Sequence, residues 1–138
     1  MTETDFRSKH SQLIEYYQYI EFDLRSICAD LLDDGDRSWF DKLDDFEADP
    51  MGKLLVKLKE LQNRKHLCLF SADDFDTLNT IRESRNYWVH QCFNGSPHVI
   101  FRNNEVRYPQ HSIRIINDLN QAIEWDKKIT EAGRNIPK

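Results

Sequence analysis

The 138-residue chain contains little glycine or proline, with four residues of each. This scarcity excludes collagen-like and low-complexity proteins, and it favours long helices over many short strands joined by turns. Cysteine is also scarce, and Cys28, Cys68 and Cys92 show no C-x-x-C spacing. We therefore expect reduced thiols rather than a disulfide framework. The length predicts one domain over residues 1–138, since domains commonly run to about 100–200 residues.

Long apolar runs are missing as well. The longest run comprises four residues, Leu67-Cys68-Leu69-Phe70, whereas a membrane-spanning helix needs about 20. The N-terminal residues 1–5 are polar and acidic, and no apolar stretch follows them, so no signal peptide is predicted. We therefore expect a cytoplasmic protein with no membrane partner.

The net charge of −5 is distributed unevenly along the chain. Residues 1–50 carry 14 acidic and 5 basic side chains, whereas residues 51–138 carry 10 acidic and 14 basic ones. The overall acidity argues against a general nucleic-acid coat protein, but the second part has room for a local basic site. The acidic run 41–49 is interpreted as a solvated face.

Hydrophobic periodicity predicts an all-α protein. Apolar residues recur at helical spacing through the first segment, at Leu13, Tyr17, Ile20, Leu24, Ile27 and Leu31, which predicts a helix over about 5–32. Further helices are predicted from Asp49-Pro50 to near residue 63, over 72–93 and over 111–131, with a short helix or connector at 39–46. The last helix is expected to turn Ile113, Ile116, Leu119 and Ile123 inward.

A short hairpin is predicted between the last two helices. Apolar and polar residues alternate over 98–108 around the dipeptide Asn103-Asn104, which suits a two-residue turn. This hairpin is expected to close over one end of the protein, near His90. The predicted fold is an up-and-down bundle of about four helices, with a small β-hairpin between the third and last long helices.

Arg85 breaks the apolar pattern of the helix predicted over 72–93. It lies on the same seam as Leu78 and Val89, and an unpaired guanidinium is very costly to bury. One interpretation is structural: the stem packs, and the head pairs with Glu83 or with a carboxylate of the first helix. The other interpretation is a functional site.

Asn86 and His90 favour the functional interpretation. They are four residues apart, so they share a helix face, and together with Arg85 they span one arc near the helix end. RNA cleavage without a metal needs a base for the 2′-OH proton and a cation for the phosphate. Histidine, with an ordinary pKa of about 6.5, suits the first role, and the planar arginine fork suits the second. Asn86 can orient the imidazole or donate to the phosphate.

The segment 81–90, with Arg85, Asn86 and His90, resembles the R-x4-6-H signature of HEPN domains. These are small all-helical domains, and many are metal-independent endoribonucleases of toxin–antitoxin and antiphage systems. The resemblance covers most of the chain, because a long helical hairpin precedes the motif and a helix follows it. It implies that Arg85 binds phosphate, His90 is catalytic and Asn86 supports them. It also implies a homodimer in which both motifs line one cleft.

One position departs from the family pattern. Some HEPN toxins carry a tyrosine two residues after the histidine, and a nucleotidyltransferase antitoxin modifies it. Cys92 occupies that position here, so the resemblance does not extend to this regulation. We interpret Cys92 as a small packed residue, since no His/Asp context makes it a nucleophile.

Three further arginines are candidate RNA-binding residues: Arg82 within the motif helix, and Arg102 and Arg107 beside the hairpin turn. His66-x-Cys68 has no second ligand pair with zinc spacing, so no metal is predicted. No cofactor is predicted either. The three tryptophans are expected in the core.

The sequence therefore predicts a metal-independent endoribonuclease that cleaves single-stranded RNA, with an antitoxin as a further protein partner. The alternative is a non-catalytic HEPN-like module that pairs with a nucleotidyltransferase or another protein. A third alternative is a structural helical dimer in which Arg85 makes a salt bridge.

Overall fold

The structure is a computed structural model that describes residues 1–33, 35–93 and 97–137. The described residues form five α-helices: α1 (Glu3–Leu31), α2 (Trp39–Glu47), α3 (Met51–Arg64), α4 (Ala72–Asn86) and α5 (Pro109–Arg134). A π-helix (Tyr87–Gln91) continues α4, and a 3-10 turn (Pro97–Val99) precedes strands β1 (Phe101–Arg102) and β2 (Glu105–Val106). The predicted all-α class is confirmed, and the segment at 39–46 is a helix rather than a connector.

Short polar side chains fix where several helices begin. The hydroxyl oxygens of Thr2 and Ser38 accept hydrogen bonds from backbone N–H groups in the first turns of α1 and α2. Ser71 and Asp74 form a reciprocal capping box at the start of α4, with N···O distances of 3.1 and 2.9 Å. These contacts satisfy N–H groups that have no partner within the helix. Pro109 occupies the first turn of α5, where its missing N–H is not needed.

The first helix forms the centre of the core. It packs against α2, α3 and α5, while α4 packs against α3 and α5. The six apolar positions predicted to face inward along α1 are all buried, each with at most 3% of its surface exposed. Among the described helices, none combines the length and apolar character needed to span a membrane. All three cysteines are free thiols.

The inward face of α5 differs from the prediction. Ile113 and Ile116 were expected inside but are 58% and 39% exposed, whereas Ile115 and Trp125 are buried. The helix contains apolar residues on two overlapping faces that share Leu119, so periodicity alone does not choose between them. The prediction for Ile113 and Ile116 was wrong because burial follows the face that contains the tryptophan.

Two further core predictions were wrong. Val89 is 42% exposed, because the π-helix changes the rotation of the chain beyond α4. Trp39 is 37% exposed at the start of α2, where its ring packs on that of Phe40 with centroids 5.2 Å apart. The other two tryptophans, Trp88 and Trp125, are buried as predicted.

The hairpin is confirmed, although it is shorter than predicted. Residues 98–99 belong to the 3-10 turn, and pairing is limited to Phe101 with Val106 and Arg102 with Glu105. The turn residues Asn103 and Asn104 have φ values of 52° and 64°. Two positive φ values in a two-residue loop are typical of a type I′ turn, which matches the twist of the strands.

The hairpin pairs with the residues at the N-terminal end of α1. The N–H of Glu3 donates to the carbonyl of Asn104 at 2.8 Å, and the N–H of Val106 donates to the carbonyl of Met1 at 2.9 Å. On its other side, the rings of Phe93 and Phe101 lie 6.3 Å apart. The hairpin therefore lies beside Phe93, two residues beyond the end of the π-helix.

Candidate active site

The R-x4-H segment contains a change of helix type. The α4 helix ends at Asn86, and residues 87–91 continue as a π-helix. The N–H of Cys92 donates to the carbonyl of Tyr87, five residues earlier, at 2.8 Å. Each π turn takes in one more residue than an α turn, and single π turns inside α-helices are frequent at functional sites. The candidate histidine lies within this turn.

The π turn frees a backbone carbonyl, and a residue from α1 satisfies it. In an α-helix the carbonyl of Trp88 would accept from the N–H of Cys92, which instead bonds to Tyr87. The Trp88 carbonyl instead lies 2.9 Å from Nε2 of His10 and 3.2 Å from the thiol of Cys92. Because a carbonyl only accepts, His10 must carry its proton on Nε2. His10 thus stabilises the π-helix from 78 residues away in the chain.

The contact between His10 and Cys92 is not an activated thiol pair. Cys92 Sγ lies 3.4 Å from His10 Nε2, but that nitrogen donates to the Trp88 carbonyl and has no lone pair for the thiol proton. Burial raises the pKa of the Cys92 thiol, which opposes formation of the nucleophilic thiolate. The structure thus supports the interpretation of Cys92 as a packed residue.

The π-helix directs His90 outward. Trp88 and Cys92 face the core, with 2% and 7% of their surface exposed, whereas His90 is exposed. Within the part of the chain that the structure describes, His90 forms no hydrogen bond or ion pair. Residues five apart lie about 140° apart around an α-helix, and an i→i+5 turn reduces that angle. The change of helix type therefore brings the faces of Arg85 and His90 closer together.

Arg85 bonds to Asn86 and pairs with α1. Its Nη1 donates to Asn86 Oδ1 at 3.2 Å, and its Nε lies 2.7 Å from Glu21 Oε1. The Nε–H does not point at that oxygen, which has no hydrogen-bond partner among the described residues, so the contact is an ion pair. A carboxylate of the first helix was one of the two partners predicted for Arg85. Arg85 keeps 29% of its side chain exposed, with no partner for Nη2 in the described residues.

Glu21 holds a second arginine of its own helix. Its Oε2 lies 3.6 Å from Nη2 of Arg25, whose guanidinium also donates to the carbonyls of Phe46 and Asp49. Glu21 is only 12% exposed, and a nearly buried carboxylate needs such compensation. One carboxylate therefore links α1 to α4 through Arg85, while Arg25 links α1 to the end of α2.

The three predicted RNA-binding arginines lie in different places. Arg82 is partly buried against α3, where its Cδ would be 3.3 Å from a Cβ placed on Gly52. Arg102 and Arg107 are exposed on the hairpin, and Arg107 Nη1 donates to the carbonyl of His98 at 3.2 Å. Among the described residues, no hydrogen bond or ion pair joins any of the three to Arg85. Arg82 is on the same helix as Arg85, one turn earlier, whereas Arg102 and Arg107 are on the hairpin.

His10, Glu21 and Arg114 were not among the site residues predicted from the sequence. The guanidinium carbon of Arg114, in α5, lies 3.5 Å from the centre of the Tyr87 ring, and its Nε lies 3.7 Å from Asp118 Oδ2. The contacts of His10 with Trp88, Glu21 with Arg85 and Arg114 with Tyr87 join residues distant in the chain, whereas Arg114 and Asp118 are four residues apart in α5. None of the distant contacts belongs to a local motif that a single sequence reveals.

The described residues contain no group of three or more His, Cys, Asp or Glu side chains that could hold a metal ion. Comparisons with protein-family models, with curated proteins and with solved structures found no match to this chain.

Proposed function

We propose that this chain is a HEPN-like endoribonuclease that cleaves single-stranded RNA without a metal. The observation that carries the proposal is the π-helix within the R-x4-H segment. It places an exposed His90 one turn beyond Asn86, and Asn86 is itself bonded to Arg85. A histidine base, an amide and a guanidinium on one exposed helix end are the groups that cleavage through the 2′-oxygen requires.

The proposed reaction is transfer of a phosphoryl group within the RNA chain. His90 takes the proton of the 2′-OH, and the 2′-oxygen forms a bond to phosphorus. The bond from phosphorus to the 5′-oxygen breaks, and that oxygen gains a proton from water. The products carry a 2′,3′-cyclic phosphate and a 5′-hydroxyl. Arg85, held at Nε by Glu21, presents its outer nitrogens to the non-bridging oxygens.

The test is digestion of a single-stranded RNA in excess chelator, with end-group analysis of the products. His90→Ala and Arg85→Ala should each lower the cleavage rate by about 10²-fold or more, because each removes acid–base or charge-stabilising help. His66→Gln is the matched control, since His66 is also exposed but lies on the loop after α3. Its rate should equal that of the wild type.

Stability separates the roles of the two motif residues. His90→Ala should change the free energy of unfolding little, because the side chain is exposed. Arg85→Ala should lower it more, since Glu21 is left nearly buried without this partner. Cleavage that requires added metal, or that survives in both variants, would remove these residues from the mechanism.

The structural helical dimer is the second candidate, and the Arg85–Glu21 ion pair favours it. In that case Arg85 serves only to join α1 to α4. Glu21→Gln tests the ion pair, because it keeps the shape of the side chain but removes the charge. A purely structural pair predicts that the Glu21→Gln protein is less stable than the wild type and that the wild type does not cleave RNA. Cleavage of RNA by the wild type would rule this candidate out.

The wider parts of the proposal come from the sequence patterns and from the HEPN resemblance. They are the up-and-down order of the helices, the homodimer, the cytoplasmic location, a toxin or antiphage setting and an antitoxin partner. Exposed apolar side chains at the start of α5, including Ile113 and Ile116, support the homodimer, because solvent-exposed isoleucines on one helix face are common at subunit contacts.

A further inference from the structure

Arg114 is held in place without using its hydrogen-bonding capacity. Its guanidinium lies over Tyr87, 3.5 Å from the ring centre, and 5.6 Å from the ring of Trp88. The only carboxylate paired with it in the described residues, Asp118, is 3.7 Å away, beyond hydrogen-bond distance. Asp118 Oδ2 already accepts from the indole N–H of Trp88 at 2.7 Å. The five N–H donors of Arg114 therefore meet no acceptor within the described part of the chain.

Three other arginines near the π-helix donate hydrogen bonds to acceptors. Arg7 donates to Glu3, Arg107 donates to the carbonyl of His98, and Arg85 donates to Asn86. Arg114 differs because stacking orders its plane while its edges remain open, with 46% of the side chain exposed. A planar guanidinium with open edges binds two phosphate oxygens at once, and stacking on an aromatic ring reduces the entropy lost in doing so.

The position of Arg114 relates it to the candidate active site. On one flank of the π-helix region, Arg85 reaches Glu21 of α1; on the other flank, Tyr87 meets Arg114 of α5. His90 is exposed, and the rotation per residue of a helix puts it opposite the buried Trp88 and between these two flanks. A nucleic-acid strand that crosses the π-helix at His90 would thus pass between two arginines.

We propose that Arg114 binds a backbone phosphate of the RNA on the α5 side of His90. The inference rests on the proposed function and adds a residue to it. Arg114 would be an RNA-binding residue that positions the strand, while Arg85 acts at the phosphate that reacts. Tyr87 would be a positioning residue, because it acts through the stacked guanidinium.

The test uses a single-stranded RNA whose riboses all carry 2′-O-methyl groups, so that it cannot be cleaved. Binding is measured by fluorescence anisotropy over a range of salt concentrations. Arg114→Ala should weaken binding by about tenfold, and it should lower the slope of log K against log salt by about 0.7, the value for one contact on a single strand. Arg114→Lys should keep the slope and lose only part of the affinity, because the charge remains and the fork is lost.

Arg134→Ala is the matched control, since Arg134 is an exposed arginine at the far end of the same helix. It should bind as the wild type does. If Arg114→Ala binds with unchanged affinity and slope while the wild type cleaves RNA, the inference is wrong and the proposed function stands. If the variant loses affinity but the wild type never cleaves, the inference stands and the catalytic proposal falls. A wild type that neither binds nor cleaves overturns both, and circular dichroism of each variant shows that it is folded.

Discussion

Asp23 and Asp126 place two carboxyl groups side by side between α1 and α5. Removal of Asp23 from water raises its pKa from 3.8 to about 6, and the hydrogen bond to the neighbouring carboxyl group of Asp126 contributes. The hydroxyl of Thr130 donates to Asp23 at 3.4 Å, which partly offsets the effect. Asp23 also borders an open groove of about 550 Å³, so water still reaches one side of it.

This pair predicts a pH dependence of stability. The folded protein binds the Asp23 proton more tightly than the unfolded chain does, so the free energy of unfolding should fall as pH rises from about 4 to about 6. Asp23→Asn should remove this fall and stabilise the protein at pH 7 by about 1 kcal/mol, a value reduced for solvent screening. Urea denaturation of both proteins between pH 4 and pH 8 measures the free energy of unfolding.

Asp44→Asn is the control for that measurement, because Asp44 is an exposed carboxylate on α2. It should keep the wild-type dependence on pH. An Asp23→Asn protein with the same loss of stability between pH 4 and pH 6 would show that Asp23 is not the group responsible.

At the scale of elements, the features that local periodicity and helix capping determine can be predicted from the sequence. The inward face of α1 was found as predicted, and Ser71 caps α4. In α1 the apolar residues form one stripe, so only one face can be buried, and Ser71 with Asp74 forms a local motif that a single sequence displays. The same holds for the Asn-Asn turn, whose residue types tolerate positive φ.

The π-helix could not be predicted in this way. Its i→i+5 bonding depends on His10, which satisfies the Trp88 carbonyl from the other end of the chain. A local pattern carries no sign of that partner, so the α-helical period placed Val89 inside. The candidate residues Arg85, Asn86 and His90 were identified by their types and spacing. Their contacts, above all the one with Glu21, emerge only from tertiary packing.

The hairpin turn supplies a prediction at this scale. Asn104 has a φ of 64°, a conformation that costs a residue with an ordinary side chain about 1 kcal/mol or more. Asn104→Ala should therefore destabilise the hairpin by about 1 kcal/mol, whereas Asn104→Gly should be tolerated. Hydrogen exchange of the Val106 and Glu3 amides measures this, because both bond across the hairpin edge. Equal protection in the two variants would contradict the assignment of the turn.

At the scale of the whole molecule, acidic and basic side chains are unevenly distributed. The acidic side chains are concentrated in residues 1–50, while Arg102, Arg107 and Arg114 lie on the hairpin and the start of α5. Beside them, Ile113 and Tyr108 are 58% and 40% exposed. A two-fold pairing through this end would bury the isoleucines and bring two sets of arginines together, which would give an acidic protein a local basic cleft.

We therefore expect a homodimer formed through the exposed face of α5. Light scattering at micromolar concentration should give twice the 16.5 kDa mass of one chain. The double variant Ile113→Asp/Ile116→Asp should be monomeric, because a stable interface buries more than about 1,000 Å² and cannot place unpaired carboxylates at its centre. Val56→Asp is the control, since Val56 is 60% exposed on α3, and it should remain dimeric.

A wild type that scatters as a 16.5 kDa monomer at these concentrations would rule out an active site composed from two chains. RNA cleavage by such a monomer would then assign the chemistry to Arg85, Asn86 and His90 of a single chain. Loss of cleavage in the double variant, with His90 and Arg85 intact, would instead show that the dimer is needed to complete the site.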